Sequence, residues 1–337
     1  MPRLYGNKYA LEEIFRLASR EEVYPQLVFN GDFNFFNSSS LENFMETNEM
    51  IMKSGAMVSL GNVERSIIDG FSSSSLSSAH FDCGCSYPDY VSDDYIERSN
   101  EIVRRLLETC KIGSTNNVRG SVGVQDVVDY LRQLPNFINV DLGGDKVTIL
   151  HGDCFSLSGW SFSAESLEPA DELLRQSLVS ENGDGSIIPI TTMREVAEWM
   201  RAMGSTVVAC THTCLPVATV VPLACTSGND GILINNGAAG MPNFADESSN
   251  GCGVLTRIAS TEHGHPPEGK SLYHSTTQNG LRVDAIAIEY DAVWKEKFLQ
   301  CWPQGTAAHE NYATRILRGP SSYRVKQAAR QGFEVTH

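Results

Sequence analysis

Four residues with lone pairs to share stand at the ends of four apolar runs. Asp32 closes "LVFNGD", Asn62 closes "MVSLGN", His151 follows the run in "VTILHGD", and His212 follows the run in "VVACTH". Two oxygen and two nitrogen donors make a borderline-hard set, suited to Mn, Fe or Zn more than to Ca or Mg. Singly, an Asp or Asn after glycine is ordinarily a turn former, and a lone strand-end His is ordinarily structural. Four strand ends agreeing in donor chemistry argue instead for one shared cation.

Such ends can meet only if the fold brings them to one side. The runs Gln26 to Asn30, Met57 to Leu60, Val147 to Leu150 and Val207 to Cys210 read as buried strands. Helical spacing is predicted over residues 7–20, with Leu11, Ile14, Phe15 and Ala18 on one face, over 93–110 and over 124–134. A capping box, Thr192 with Glu195, opens another helix that runs to about Met203 before Gly204. Strands alternating with helices define an α/β layered fold, in which sites gather at the carboxyl ends of the strands.

The segment "FINVDLGGDKVTIL" reads as a β-hairpin turning at Leu142 to Asp145, and "GILINN" and "RVDAIAIEYD" add late strands. Serine-rich stretches at 38–40 and 72–78, and the polar stretch from Glu262 to Gly280, read as insertions too short to separate domains. One domain over residues 1–291 is expected, followed by a helical tail over 292–337. In that tail Trp294, Phe298 and Trp302 fall at helical spacing and would pack on the domain.

Bulk composition narrows the partners. A net charge of -15 with no long run of Lys and Arg disfavours phosphate backbones and anionic lipid. No window approaches the ~18 apolar residues of a membrane span, and the start lacks a secretory pattern. Nine cysteines without a repeated CxxC spacing suit free thiols in a reducing, cytoplasmic setting. Neither nucleic acid nor a membrane is expected as a partner.

In order, "NGDFN", "LGNVE", "LHGD", "THTCLP" and "ILINNGAAGMPNF" resemble the GD, GN(H), H and GHTHxP motifs, and the strand and loop that follow them, of the calcineurin-like metallophosphoesterases. The resemblance spans roughly residues 4 to 245. It implies a four-layer α-β-β-α sandwich holding divalent metal, and hydrolysis of a phosphomonoester or phosphodiester, small-molecule or protein, by metal-activated water. By that resemblance Asp32 would be the bridging carboxylate. Asn62, His151 and His212 would complete one metal's shell, with Asp32, His151 and His212 as the catalytic set.

The chain also departs from the family's pattern. "RLYGNKYALEEI" resembles DxHGNxxALExx from Gly6 onward, but Arg3 and Tyr5 stand where Asp and His belong. The register set by Pro216 puts Cys214 in the seat of the last histidine, where a thiolate ligand would favour a softer ion such as Zn. The first strand is therefore missing or altered, either through divergence or because the sequence begins late. Ligands for one ion are complete, and those for a second are not. Val63 replaces the histidine of GNH, leaving Glu64 as a neighbouring candidate acid. A catalytically impaired relative, acting as a binding or scaffold module, is the alternative.

Other motifs carry less. His263-Gly-His265 lies in a Gly/Pro-rich loop without companion donors, and Cys83-Gly-Cys85 is too tight for a zinc knuckle and reads as a packed loop near the site mouth. "GAAG" at 237–240 could cradle phosphate through its amides.

Overall fold

Apolar runs and their turn residues set the strands where the sequence places them. The computed structural model describes residues 4–37, 40–72, 82–114, 122–169, 171–176, 187–224, 230–245, 252–262 and 266–336. Arg3, the His263 and His265 pair, and most of the serine-rich stretches lie outside the described residues.

Helix α1 (Lys8–Arg20) begins at Asn7, whose side-chain oxygen accepts the N–H groups of Tyr9 and Ala10 at 3.1 and 3.2 Å. It leads into β1 (Val28–Asn30), α2 (Leu41–Lys53), β2 (Met57–Ser59) and α3 (Asn62–Ser72). β1 and β2 pair in parallel, so both run out on the same side. Two helices, α4 (Asp93–Ser114) and α5 (Val124–Leu131), complete the first half.

The predicted hairpin is present as β3 (Phe137–Leu142) and β4 (Asp145–Leu150), with Leu142 opposite Asp145. Gly143 and Gly144 take φ of 60° and 88°, the left-handed pair that a two-residue hairpin turn requires. Helix α6 (Met193–Met203) carries the predicted capping box: Thr192 Oγ1 accepts the Glu195 N–H, and Glu195 accepts the Thr192 N–H at 2.8 Å. Gly204, at φ 64°, ends it.

Strands β5 (Val207–Cys210), β6 (Val217–Pro222) and β7 (Asp230–Asn235) join the hairpin in a five-stranded sheet of order β3-β4-β5-β7-β6. β4, β5 and β7 are parallel, with antiparallel strands at either edge. A second, antiparallel sheet has the order β11-β9-β10-β8, from β8 (Gly253–Ser260), β9 (Ser271–Thr276), β10 (Leu281–Ile288) and β11 (Glu334–Val335). Here the expectation of a polar insertion over 262–280 is corrected. Ser271–Thr276 pairs with β10 on one side and β11 on the other, and Tyr273 is buried in it.

The fold is α/β, with helices and multi-strand sheets. Val207, Ile232 and Val217 of the five-stranded sheet share one apolar cluster with Val254, Tyr273 and Val283 of the four-stranded one. α6 packs on β6, and α1 on β10. A second cluster joins α1 to α5 with the helices of the last segment, α7 (Val293–Cys301) and α8 (Ala307–Arg318), where Trp294, Phe298 and Trp302 are buried. Among the described residues no helix is long and apolar enough to cross a membrane.

Candidate metal centre

Each of the four donors follows a strand end. Asp32 lies two residues past β1, Asn62 opens α3 just after β2, His151 follows β4, and His212 lies two residues past β5. Asn30 ties the pieces together: its Nδ2 donates to Leu150 O at 2.5 Å, and its Oδ1 accepts from Ser59 Oγ at 2.8 Å. The two histidine turns are joined directly, because His151 O accepts the N–H groups of Thr211 and His212 at 3.1 and 2.8 Å.

Glycine makes the approach possible. A Cβ on Gly31 would lie 2.4 Å from the Gly61 Cα and 2.7 Å from His151 Nδ1, and a Cβ on Gly61 would lie 2.3 Å from Asp32 Oδ1. The GD and GN turns therefore touch backbone to backbone. Asp32 itself takes φ 50°, a left-handed conformation that a non-glycine residue seldom adopts outside functional sites.

Around His151 Nε2 the donors converge. Asn62 Oδ1 is 3.2 Å away, Asp32 Oδ2 3.3 Å and His212 Nδ1 3.3 Å. One ligand atom each from Asp32, His151 and His212 falls within 4.8 Å of the others, and all three residues are buried. The opposite faces of His151, Asn62 and Asp32 are fixed from outside. His151 Nδ1 is 2.7 Å from Asn30 O, which can only accept, so the ring proton sits there and Nε2 presents a lone pair. Asn62 Nδ2 donates to Cys83 O at 3.1 Å, which turns Oδ1 inward. Asp32 Oδ1 accepts the Val63 N–H at 3.1 Å, near the positive end of α3. Asn62 Oδ1, Asp32 Oδ2 and His151 Nε2 are left facing one another as acceptors, an arrangement that repels itself unless a cation enters. The donor set fits a divalent metal ion.

Cys214, predicted as a further ligand, is placed elsewhere. Its sulfur is not within that group; it lies 2.9 Å from the hydroxyl of Tyr5, the residue at the position of the family's missing histidine. Tyr5 stacks on Phe36 at 5.5 Å and meets Phe35 and Tyr312 edge-on or tilted, at 5.7 and 6.5 Å. Arg315 Nη2 donates to Cys214 O at 2.5 Å. The physical reason is that Tyr5 and Cys214 satisfy each other inside an aromatic box.

Other expectations change as well. Val63 is fully buried and contributes only its N–H. Glu64 is no acid facing a substrate: it is fully buried and accepts the N–H groups of Asp32 and Phe33 at 2.6 and 3.2 Å and Asn34 Nδ2 at 3.2 Å. Burial, and then the Asp32 charge, pushes its carboxyl up to about 7. The amides of the 237–240 loop do not form an open phosphate cradle either. Gly237 N–H donates to Asn235 Oδ1 and Ala238 N–H to Asn243 Oδ1, at 2.9 and 3.1 Å, and the loop is buried under Leu4 and Asn7. Asp153 of "LHGD" organises its own loop, accepting from Phe155, Ser156 and Ser161 N–H. Sequence reasoning missed the Asn30 carbonyl, Trp160, which packs edge-on to His212 at 5.7 Å, and Tyr312 from the last segment. Asn30, inside "NGDFN", and Trp160, in "SGWSF" close after "LHGD", stood near enough to a motif to be suspected.

A cavity of about 640 Å³ opens beside the cluster, lined by Asn62 and His151 together with Arg65, Lys146, Asn139 and Thr148. This is room for a phosphorylated small molecule, with two cationic side chains on its wall.

No protein-family model and no curated protein matches the chain. Several solved structures match the chain at low identity. One is a hypothetical protein from Pyrococcus horikoshii OT3, at a TM-score of 0.49 and 14% identity over 94% of each chain. A metallophosphoesterase from Sphaerobacter thermophilus follows at 0.46 and 16%, over 94% of this chain and 97% of that one. Vps29 from Entamoeba histolytica, complexed with Zn²⁺, is more distant at 0.22 and 11%, over 46% of this chain and 62% of that one.

Proposed function

We propose that the chain hydrolyses a phosphate ester, mono- or diester, with one divalent ion held by Asp32, Asn62, His151 and His212. The observation that supports this most is the convergence of candidate ligand atoms on His151 Nε2, from Asn62, Asp32 and His212, all within 3.3 Å. An ion in that position supplies Lewis-acid polarisation of the phosphoryl group and makes water nucleophilic near neutral pH. The chain's own residues do the rest. Asp32 brings the negative charge, Asn30 holds the His151 tautomer, and Glu64 pins the Asp32 turn from below. Arg65 and Lys146 line the cavity and offset the charge of a phosphoryl group there. The net charge of -15 supports a small-molecule or protein phosphoester substrate, with nucleic acid and membranes as poor partners, and the free-thiol composition supports a cytoplasmic setting.

A second reading is a non-catalytic relative that keeps the ion and binds or scaffolds. Its support is specific: Val63 is buried where the resembling family carries a histidine, and Tyr5 with Cys214 occupies the other seat. Turnover of p-nitrophenyl phosphate and bis-p-nitrophenyl phosphate in Mn²⁺, beside the His151→Ala protein, separates the two. Hydrolysis by the native chain alone is expected. Equal turnover in both proteins removes the enzyme, and no turnover with Mn²⁺ still raising the melting temperature leaves the binding module.

A further inference from the structure

Asn62 is gripped from behind. Its Nδ2 lies 3.1 Å from Cys83 O and 3.1 Å from Cys85 Sγ, while its Oδ1 faces His151. An amide has one acceptor end and one donor end, so the Cys83-Gly84-Cys85 turn decides which end the metal centre sees. The turn is itself anchored, with Cys83 N–H on Asn100 Oδ1 at 2.8 Å and Gly84 N–H on Asp82 Oδ1 at 2.6 Å.

The same turn brings two thiols together. Gly84 takes φ 68°, a bend open to glycine, and folds the pair so that Cys83 O and Cys85 Sγ both reach Asn62 Nδ2 at 3.1 Å, with the neighbouring Cys85 side chain lowering the pKa of the Cys83 thiol. Cys83 is buried, Cys85 is half-buried, and Gly84 and Asn62 both line the 640 Å³ cavity. Gly84 sets both thiols one residue from that cavity, and the half-buried Cys85 is the more accessible of the two to a small oxidant. Of the other described thiols, Cys110, Cys154 and Cys210 have their acidity suppressed by burial, and Cys214 is engaged by Tyr5.

We propose that Cys83 and Cys85 form a reversible disulfide in response to a hydroperoxide, and that this releases Asn62 and weakens metal retention. The second half rests on the metal-centre reading above. Cys85 Sγ attacks one oxygen of hydrogen peroxide; the O–O bond breaks, and the departing hydroxide leaves as water with the thiol proton. The sulfur is then a sulfenic acid. Cys83 Sγ attacks that sulfur, the S–S bond forms, the S–O bond breaks, and a second water leaves with the second thiol proton. Two thiols and one peroxide give one disulfide and two waters, with two electrons passing from sulfur to oxygen. Closing the sulfurs to about 2.0 Å draws Cys85 Sγ toward Cys83 and off Asn62 Nδ2. A ring closed over one intervening residue is tight, which keeps it open to reduction by thiols.

The test uses the whole purified chain, treated with a small excess of hydrogen peroxide and then alkylated under denaturing conditions. The peptide carrying Cys83 and Cys85 should lose two hydrogens and both alkyl groups, reversibly with dithiothreitol. The Asn62 side-chain amide resonance, assigned with Asn62→Asp, should shift in the same sample, and Mn²⁺ affinity should fall about tenfold. Cys85→Ser protein should keep its own affinity through the treatment. Both thiols still alkylated after peroxide, or a disulfide that leaves the Asn62 resonance and the affinity unmoved, overturns the proposal. A reduced chain that binds no Mn²⁺ fails the metal reading separately, and the mass and the resonance still decide the disulfide and the release.

Discussion

Two neighbouring regions receive similar positions in the chain and solve opposite problems. Around His151 Nε2, Asn62 Oδ1 and Asp32 Oδ2 stand as acceptors facing an acceptor at 3.2 and 3.3 Å, and all three residues are held by a partner on the far side. A few residues on, Tyr5 and Cys214 meet as a hydrogen-bonded pair at 2.9 Å, and rings of Phe35, Phe36 and Tyr312 fill the space around them. The first region is preorganised at a cost that a cation would repay, whereas the second is already satisfied. The difference teaches that satisfied and unsatisfied polar groups can lie side by side: Tyr5 and Cys214, 209 residues apart, are complementary to each other.

The largest expected effect breaks the first region outright. In Gly61→Ala the added Cβ lies 2.3 Å from Asp32 Oδ1 and 2.4 Å from the Asp32 backbone nitrogen, and backbone cannot step aside. A loss of about 3 kcal/mol or more is expected, read from the denaturant midpoint with an unchanged slope. Native-like stability in that variant would mean that the GD and GN turns do not touch.

Next comes the cation itself. At a Mn²⁺ concentration about a hundredfold over its dissociation constant, the native chain should gain about 2.7 kcal/mol, seen as a rise in melting temperature. His151→Ala should lose that gain. Cys214→Ser should keep it, since the thiol is held by Tyr5 and is not among the converging donors. Equal loss in both variants would merge the two regions into one site.

A smaller effect tests what holds the first region in place. Glu64 presents two carboxylate oxygens to three donors. Glu64→Gln turns one of those oxygens into an NH₂ group that faces an N–H, at a cost of about 1 to 3 kcal/mol. Equilibrium unfolding of the metal-free protein measures it. A neutral result would show that the Asp32 turn keeps its φ of 50° without this clamp.

These contrasts mark where the sequence was legible. Strand ends were, because an apolar run that stops at Gly-Asp, Gly-Asn or His-Gly advertises both the strand and its polar terminus. The hairpin and α6 were, because Gly143-Gly144, the Thr192 and Glu195 pair, and Gly204 encode local backbone geometry. β9 was not: "SLYHST" alternates among polar neighbours, and only pairing with β10 and β11 makes it a strand. Donor types at the candidate site could be listed from the chain, but their fixing partners could not. Asn30 contributes a carbonyl, which every residue has, and Cys83 does the same. Glu64 looked like a spare acid because its neighbour in sequence is a strand-end loop, whereas its fate was set by three N–H groups from residues 32–34. The pairing of Tyr5 with Cys214 was invisible because no local rule couples positions so far apart.

The smallest effect probes the second region alone. Tyr5→Phe removes one hydroxyl and keeps the ring that stacks on Phe36 at 5.5 Å, so packing survives while the contact to Cys214 is lost. A sulfur partner makes a weak hydrogen bond, and a cost of about 0.5 to 1 kcal/mol is expected. For a chain of 337 residues that moves the melting temperature by only a degree or two. The informative comparison is therefore the Mn²⁺-dependent rise, which should be as large in Tyr5→Phe as in the native chain. A diminished rise would mean that the hydroxyl orders the His212 turn through Cys214, and that the satisfied region is part of what preorganises the unsatisfied one.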